Sequence, residues 1–210
     1  MSQPADIAPQ SRRTLLMSAA FAVLVLGAIA LDTTVVRIGS EQDVRAAKFS
    51  PEAFGVEAFP KVQANVTERA VDVVELATAI AADAKAAEAK YSVAGVYPVK
   101  FEGVVGEGKS GIYYVDVAGL PAPLRLRVQT GPAINGTELR DASGEITFSQ
   151  FTNQIEYQDA GSALNKEMKK LVLDGIDNVA LTGKTLVVVG AFKLVNPKNW
   201  LITPVSLEVK

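Results

Sequence analysis

The chain contains no cysteine and no histidine. Those two absences remove thiol nucleophiles, disulfides, zinc sites built on Cys or His, and histidine general bases. Catalysis would have to rest on Asp, Glu, Lys, Tyr, Ser or Thr, and a metal site would be oxygen-only, which suits calcium or magnesium. The acidic spacing of an EF-hand is missing too, so neither a metal nor a cofactor is expected. Positive charge is not in excess: 21 Lys and Arg face 23 Asp and Glu, for a net charge of -2. No basic field exists to attract nucleic acid, and none is expected as a partner. What the chain does have is apolar content. With 210 residues, 49% of them hydrophobic, it can bury one good core or two small ones.

The apolar content is concentrated first near the start. Arg12-Arg13 precede TLLMSAAFAVLVLGAIAL, Thr14 to Leu31, which carries no charge. As a helix this stretch would be about 27 Å long, enough to cross a bilayer core. Basic residues ahead of it keep the N-terminus cytoplasmic and send everything after Asp32 outward. Ala28-Ile29-Ala30 fits the small-x-small pattern of a signal-peptidase site, and Ser11-Arg12-Arg13 partly matches a twin-arginine signal. The stretch is longer than a typical signal core, however, so the expectation is an uncleaved anchor. A buried soluble helix would leave the flanking arginines unexplained.

Beyond Asp32, residues 32–49 read as a tether. Ser50-Pro51-Glu52 looks like a helix start, with Ser as the cap and Pro at the first position. Asn65 and Glu68 have capping-box spacing, and Val66, Ala70, Val73, Ala77 and Ile80 recur at helical steps. That pattern predicts one amphipathic helix running to about Lys90. The period then drops to two. Val99, Phe101 and Val104 lead into GEGKSG and IYYVDVAG, and Leu124, Leu126 and Val128 alternate with Arg125, Arg127 and Gln129. TLVVVGAFKLV and ITPVSLEVK also have strand composition, with Val205, Leu207 and Val209 on one face. A further helix is expected where Ala160, Leu164, Met168 and Leu171 line an apolar edge. Five or six short strands with two helices suggest a small closed or partly closed barrel.

GVVGEGKS, Gly103 to Ser110, fits the phosphate-loop pattern G-x-x-x-x-G-K-[ST] letter for letter. Such a loop works because its backbone amides sit at the N-terminus of a helix that begins there. Gly111-Ile112-Tyr113-Tyr114-Val115 is instead a poor helix and a good strand. The segment reads as a Gly-rich hairpin with Lys109 at its tip, and no nucleotide is expected.

The richest polar block is GPAINGTELRDASGEITFSQFTNQIEYQDAG, from Gly131. Arg140 beside Asp141 could clamp a carboxylate or a pair of sugar hydroxyls. Asn153, Gln154 and Glu156 flank Phe151 and Tyr157, a composition suited to sugars, which need planar polar groups and flat aromatic faces. These six candidates for a ligand site are Arg140, Asp141, Asn153, Gln154, Glu156 and Tyr157. The structural alternative is that the amides satisfy backbone groups at a barrel corner while Phe148 and Phe151 anchor the loop. An enzyme reading would need two of Asp141, Glu145 and Glu156 to converge as a glycosidase-like pair. No catalytic residue is assigned.

GPAINGTELRDA, ITFSQFTNQIEYQDAGSALN, GKTLVVVGAFKL and ITPVSLEV together resemble the bacterial predicted periplasmic lipoproteins called domain of unknown function 2291. The resemblance runs from about Phe49 to the C-terminus. It implies an exported protein with an OB-type barrel and added helices, encoded near sugar ABC transporters, and it carries over no activity. Members typically hold a lipobox cysteine, which is missing here, so the apolar segment would anchor the protein directly. The full expectation is therefore a mainly β (α+β) protein: a small OB-like β-barrel with two flanking amphipathic helices behind an N-terminal transmembrane helix. Residues 1–13 would be cytoplasmic, 14–31 the anchor in the inner membrane, 32–49 a tether and 50–210 a single-pass protein's periplasmic domain. Its function would be a non-catalytic binding or accessory module, with sugar ABC transporter components as candidate partners. A carboxylate-based hydrolase and a membrane scaffold are the alternatives.

Overall fold

The computed structural model describes residues 12–32 and 49–210, with the side chains of the first helix described from 16 to 29. The chain divides into two compact units, 1–48 and 49–210. In the first, helix α1 spans Arg12–Asp32, and its described side chains are all exposed, Leu16, Met17 and Phe21 at about 70% each. Among the described residues, no helix is long and apolar enough to cross a membrane. The expected span from Thr14 to Leu31 runs past both ends of the described side chains, and the tether lies outside the described residues apart from Asp32 and Phe49.

The second unit opens as its sequence predicts. Ser50 caps helix α2 (Pro51–Arg69), its hydroxyl accepting from the Ala53 amide, and Pro51 takes the first position. Gly55, Phe59, Val62 and Val66 form the buried stripe. The single helix expected from Asn65 to Lys90 is in fact spread over three helices and a short strand. Asn65 sits inside α2 and accepts from Arg69. The chain leaves the helix at Ala70 and pairs briefly as β1 (Val71–Asp72). It then restarts as α3 (Val73–Ala82) and again as α4 (Ala84–Tyr91). Two aspartates cause the restarts. Asp72 accepts from the Val74 and Glu75 amides, and Asp83 from those of Lys85 and Ala86. A short carboxylate bonded to nearby backbone competes with helix continuation and makes a new N-terminus. The predicted stripe still turns inward, for Val66, Ala70, Val73 and Ala77 are buried, but it is shared between two helices.

The remaining strands are β2 (Val96–Lys109), β3 (Ile112–Asp116), β4 (Arg125–Gln129), β5 (Thr185–Lys193) and β6 (Asn199–Val209). The sheet order is β1-β2-β3-β4-β6-β5, and a further β2–β5 pairing joins β2 through β6 in a closed ring. β4 and β6 run parallel, and the other ring pairs are antiparallel. β2 serves two partners, β5 from Val96 to Val104 and β3 from Val104 to Lys109. Gly103 marks the handover. A Cβ there would lie 2.7 Å from the Asp116 carbonyl oxygen, so the strand can bend only without a side chain.

The GEGKSG segment is a hairpin. Lys109 pairs with Ile112, and Ser110 and Gly111 make the turn at φ 53° and 76°, the signature of a two-residue type I′ connection. No helix follows Ser110, so the phosphate-loop match lies on strand and turn.

Two apolar clusters hold the unit together. One fills the ring, with Phe192 stacked between Tyr97 and Trp200 at 5.4 and 4.5 Å. The other lies outside it, where α2 and α6 (Gln154–Met168) cover Val96, Ala191 and Val205. Ala160, Leu164 and Met168 are buried in α6 as predicted, but Leu171 is 58% exposed. After Met168 the helix widens into a π-helical turn over Lys169–Leu173. The wider turn shifts the phase, so Leu173 is buried in its place. With these helices and the short α5 (Glu138–Asp141), the unit is mixed α+β rather than mainly β.

Candidate functional site

Three of the six candidate residues meet, and they meet inside the protein. Arg140, in α5, is only 8% exposed. Its Nε donates to Asp141 Oδ1 at 2.7 Å and its Nη2 to Oδ2 at 3.3 Å, while Nη1 donates to the Tyr157 carbonyl at 3.2 Å. The guanidinium lies flat over the Tyr157 ring, 3.7 Å from its centre. Asp141 also accepts from Lys193 Nζ at 2.7 Å and from the Thr137 hydroxyl at 2.9 Å. Burial alone would raise its pKa. The hydrogen bonds from Arg140, Lys193 and Thr137 outweigh that, so its carboxyl is held below the usual value. The cluster ties α5 to α6 and to β5, and its donors and acceptors are already engaged.

Two more candidates cap a helix. Asn153 is the N-cap of α6, its Oδ1 accepting from the Glu156 amide at 3.0 Å, and Glu156 Oε2 accepts from the Thr152 amide at 2.9 Å. This is reciprocal capping with the carboxylate reaching one residue further back than usual. Gln154 is exposed at the first helical position. Of the acids that an enzyme reading would need to pair, Asp141 is ion-paired, Glu156 caps a helix and Glu145 is exposed. Aromatic rings do gather here. Phe148 and Phe151 both touch Tyr157, and Phe151 also meets Phe49 and Phe54, with centroids 5.3 to 5.6 Å apart. Among the described residues no acidic cluster could hold a metal.

One concavity, of about 930 Å³, is the cleft between α2 and α6. Four of its charges pair off, Lys166 with Glu52 at 2.9 Å and Lys170 with Glu167 at 3.2 Å, while Asp159, Lys169 and Asp174 also line it.

The outer face of β3 and β4 is different. The helices lie chiefly on β2, β5 and β6, which leaves this face open. Two adjoining grooves, of about 620 and 380 Å³, share Tyr114 as a wall. Alternation points Tyr113, Val115, Leu126 and Val128 into the core and Tyr114, Arg125 and Arg127 outward. In the register Tyr114 stands opposite Arg127, which stands opposite Leu201. Arg125 stacks on the Tyr114 ring at 3.6 Å. The alternation of arginine with leucine is visible in the sequence, but the pairing that sets Tyr114 beside both arginines is not.

A family model described as "Predicted periplasmic lipoprotein (DUF2291)" matches residues 20–208. No curated protein matches the chain. Among solved structures, the chain is similar to an OB-fold protein from Thermotoga maritima, with a TM-score of 0.64 and 20% identity, covering 78% of this chain and 100% of that one. At that identity the likeness establishes the fold alone, and it agrees with the ring of five strands described above.

Proposed function

The chain belongs to the DUF2291 family of predicted periplasmic lipoproteins, and from that premise we propose that it is a membrane-tethered periplasmic binding module with no chemistry of its own. Helix α1 supports the tether. Apart from Ser18 its described side chains are apolar, and they are exposed, a surface that water disfavours and lipid accepts. With no cysteine to carry a lipid, Thr14 to Leu31 takes over the anchoring. A reporter active on only one side of the inner membrane, fused after Lys210, is expected to work on the periplasmic side alone.

The binding face is the outer surface of β3 and β4. One observation carries this: Tyr114 forms the common wall of two open grooves and bears the Arg125 guanidinium on its ring. In OB folds generally the second and third strands of the ring, here β3 and β4, bind oligonucleotides or oligosaccharides, and the net charge of -2 argues for the saccharide. A service to a sugar uptake system follows, with transporter components as partners. The test is a thermal-shift screen of the full-length protein against sugars. A shift abolished by Tyr114→Ala or Arg125→Ala supports the face, and a shift indifferent to both removes it.

A further inference from the structure

Arg127 is the least satisfied cation on the binding face. Arg125 has Tyr114 beneath it and Glu107 at 3.8 Å. Arg127 has no ion pair among the described residues, and because its Nε is buried without an acceptor, only its terminal nitrogens are left to meet a ligand. It lines the groove with Lys109, Ile112 and Tyr114. Two ladder positions away, Asn199 stands opposite Arg125, and its Oδ1 is likewise closed off without a donor. A guanidinium that lines a groove without a counter-ion favours an anionic occupant. We propose that this groove takes a carboxylated sugar, whose carboxylate accepts from Arg127 and whose ring lies along Tyr114 and Ile112. The inference rests on the reading of β3 and β4 as the binding face and adds the charge of the ligand.

The local charge selects a singly charged anion. Lys109, Arg125 and Arg127 face Glu107 and Asp116 across the two grooves, leaving one positive charge unmatched. A carboxylate neutralises it, whereas a doubly charged phosphate would overshoot. A guanidinium presents a planar fork that fits a carboxylate in two places, and no other side chain offers that geometry. The tyrosine and isoleucine supply the flat apolar contact that a bare anion could not use.

The test uses the full-length protein in detergent, titrated calorimetrically with glucuronate, glucose and inorganic phosphate. Glucuronate is expected to bind at least ~10-fold more tightly than either of the others. Arg127→Gln should lose at least ~10-fold in glucuronate affinity and Arg127→Lys less, since it keeps the charge but not the fork. Circular dichroism confirms that each variant is folded, and should Arg127→Gln fail to fold, Arg127→Lys carries the comparison. Glucose bound as tightly as glucuronate, with both lost in Tyr114→Ala, would overturn the carboxylate and leave the binding face standing. Phosphate bound as tightly as glucuronate would overturn the sugar. Glucuronate binding untouched by the Arg127 and Tyr114 variants, or no binding at all, would overturn the proposal and the face together.

Discussion

Glu138 and Asp141 share the single turn of α5, and their carboxyls are pushed in opposite directions. Glu138 is raised, first by burial, and its Oε2 finds no partner. A folded pKa above the unfolded value, near ~4.3, contributes stability that is present at low pH and lost as pH rises through the folded value. At neutral pH the ionised Glu138 is therefore a liability. Glu138→Gln is expected to raise the melting temperature at pH 7, because the amide has no charge to desolvate. The gain should vanish near pH 4, where the native residue is itself protonated. Asp141 works the other way. Its folded pKa lies below the unfolded one, so its contribution is present above about pH 4 and lost as pH falls through the folded value. Asp141→Asn strips Arg140 and Lys193 of their shared counter-ion and should cost about 3 kcal/mol at pH 7, less as the pH drops. Melting temperatures of the two variants should move toward the wild type from opposite sides as the pH falls from 7. Curves that stay parallel would show that neither carboxyl titrates as its surroundings dictate.

Among elements, those announced by short-range chemistry were legible in the sequence and those decided by competition were not. Ser50 with Pro51 marked a helix start that formed, because a cap needs only its own next three residues. The break at Asp72 was hidden, since the apolar stripe runs on through it at helical spacing and two backbone amides decide the matter. Leu171 misled for a similar reason: nothing in KKLVL announces a π-helical turn. Asn153 and Glu156 looked like ligand groups because a capping pair and a sugar clamp use the same residue types. Asn153→Ala should accordingly cost about 1 kcal/mol of stability through the lost cap, and leave affinity for any β3–β4 ligand unchanged. The hairpin is less forgiving. Gly111 has φ 76°, and a Cβ there would run into the carbonyl of Gly131, whose neighbour Thr130 donates its amide and hydroxyl to the Gly111 carbonyl. Gly111→Ala combines an unfavourable backbone region with a collision against main chain and should lower stability by more than about 2 kcal/mol. A melting temperature within a degree of the wild type would contradict this account of the turn.

At the scale of the molecule, the strands could be read from their period of two, but not the ring. Closure depends on β2 meeting β5 and on β4 lying parallel to β6, pairings between segments about seventy or more residues apart. No local pattern carries those. The polar block drew the eye toward α5 and α6, whereas the open face is composed of arginines that read singly as a wet strand edge. The division into units 1–48 and 49–210 has a consequence that separates anchoring from folding. Both apolar clusters draw their residues from Phe54 onward, and the first cap, at Ser50, also falls within the second unit. Among the described residues, every member of either core therefore belongs to the second unit. The truncated protein should melt within about 2 °C of the full chain, since 1 kcal/mol moves a domain of this size by ~2–4 °C. It should also leave the membrane fraction, because no other stretch of the sequence is long, uncharged and apolar enough to hold it there. A large fall in melting temperature would mean that the first unit contributes to the stability of the second. Retention in the membrane pellet, with the melting temperature unchanged, would instead move the anchoring role to the surface of the ring domain itself.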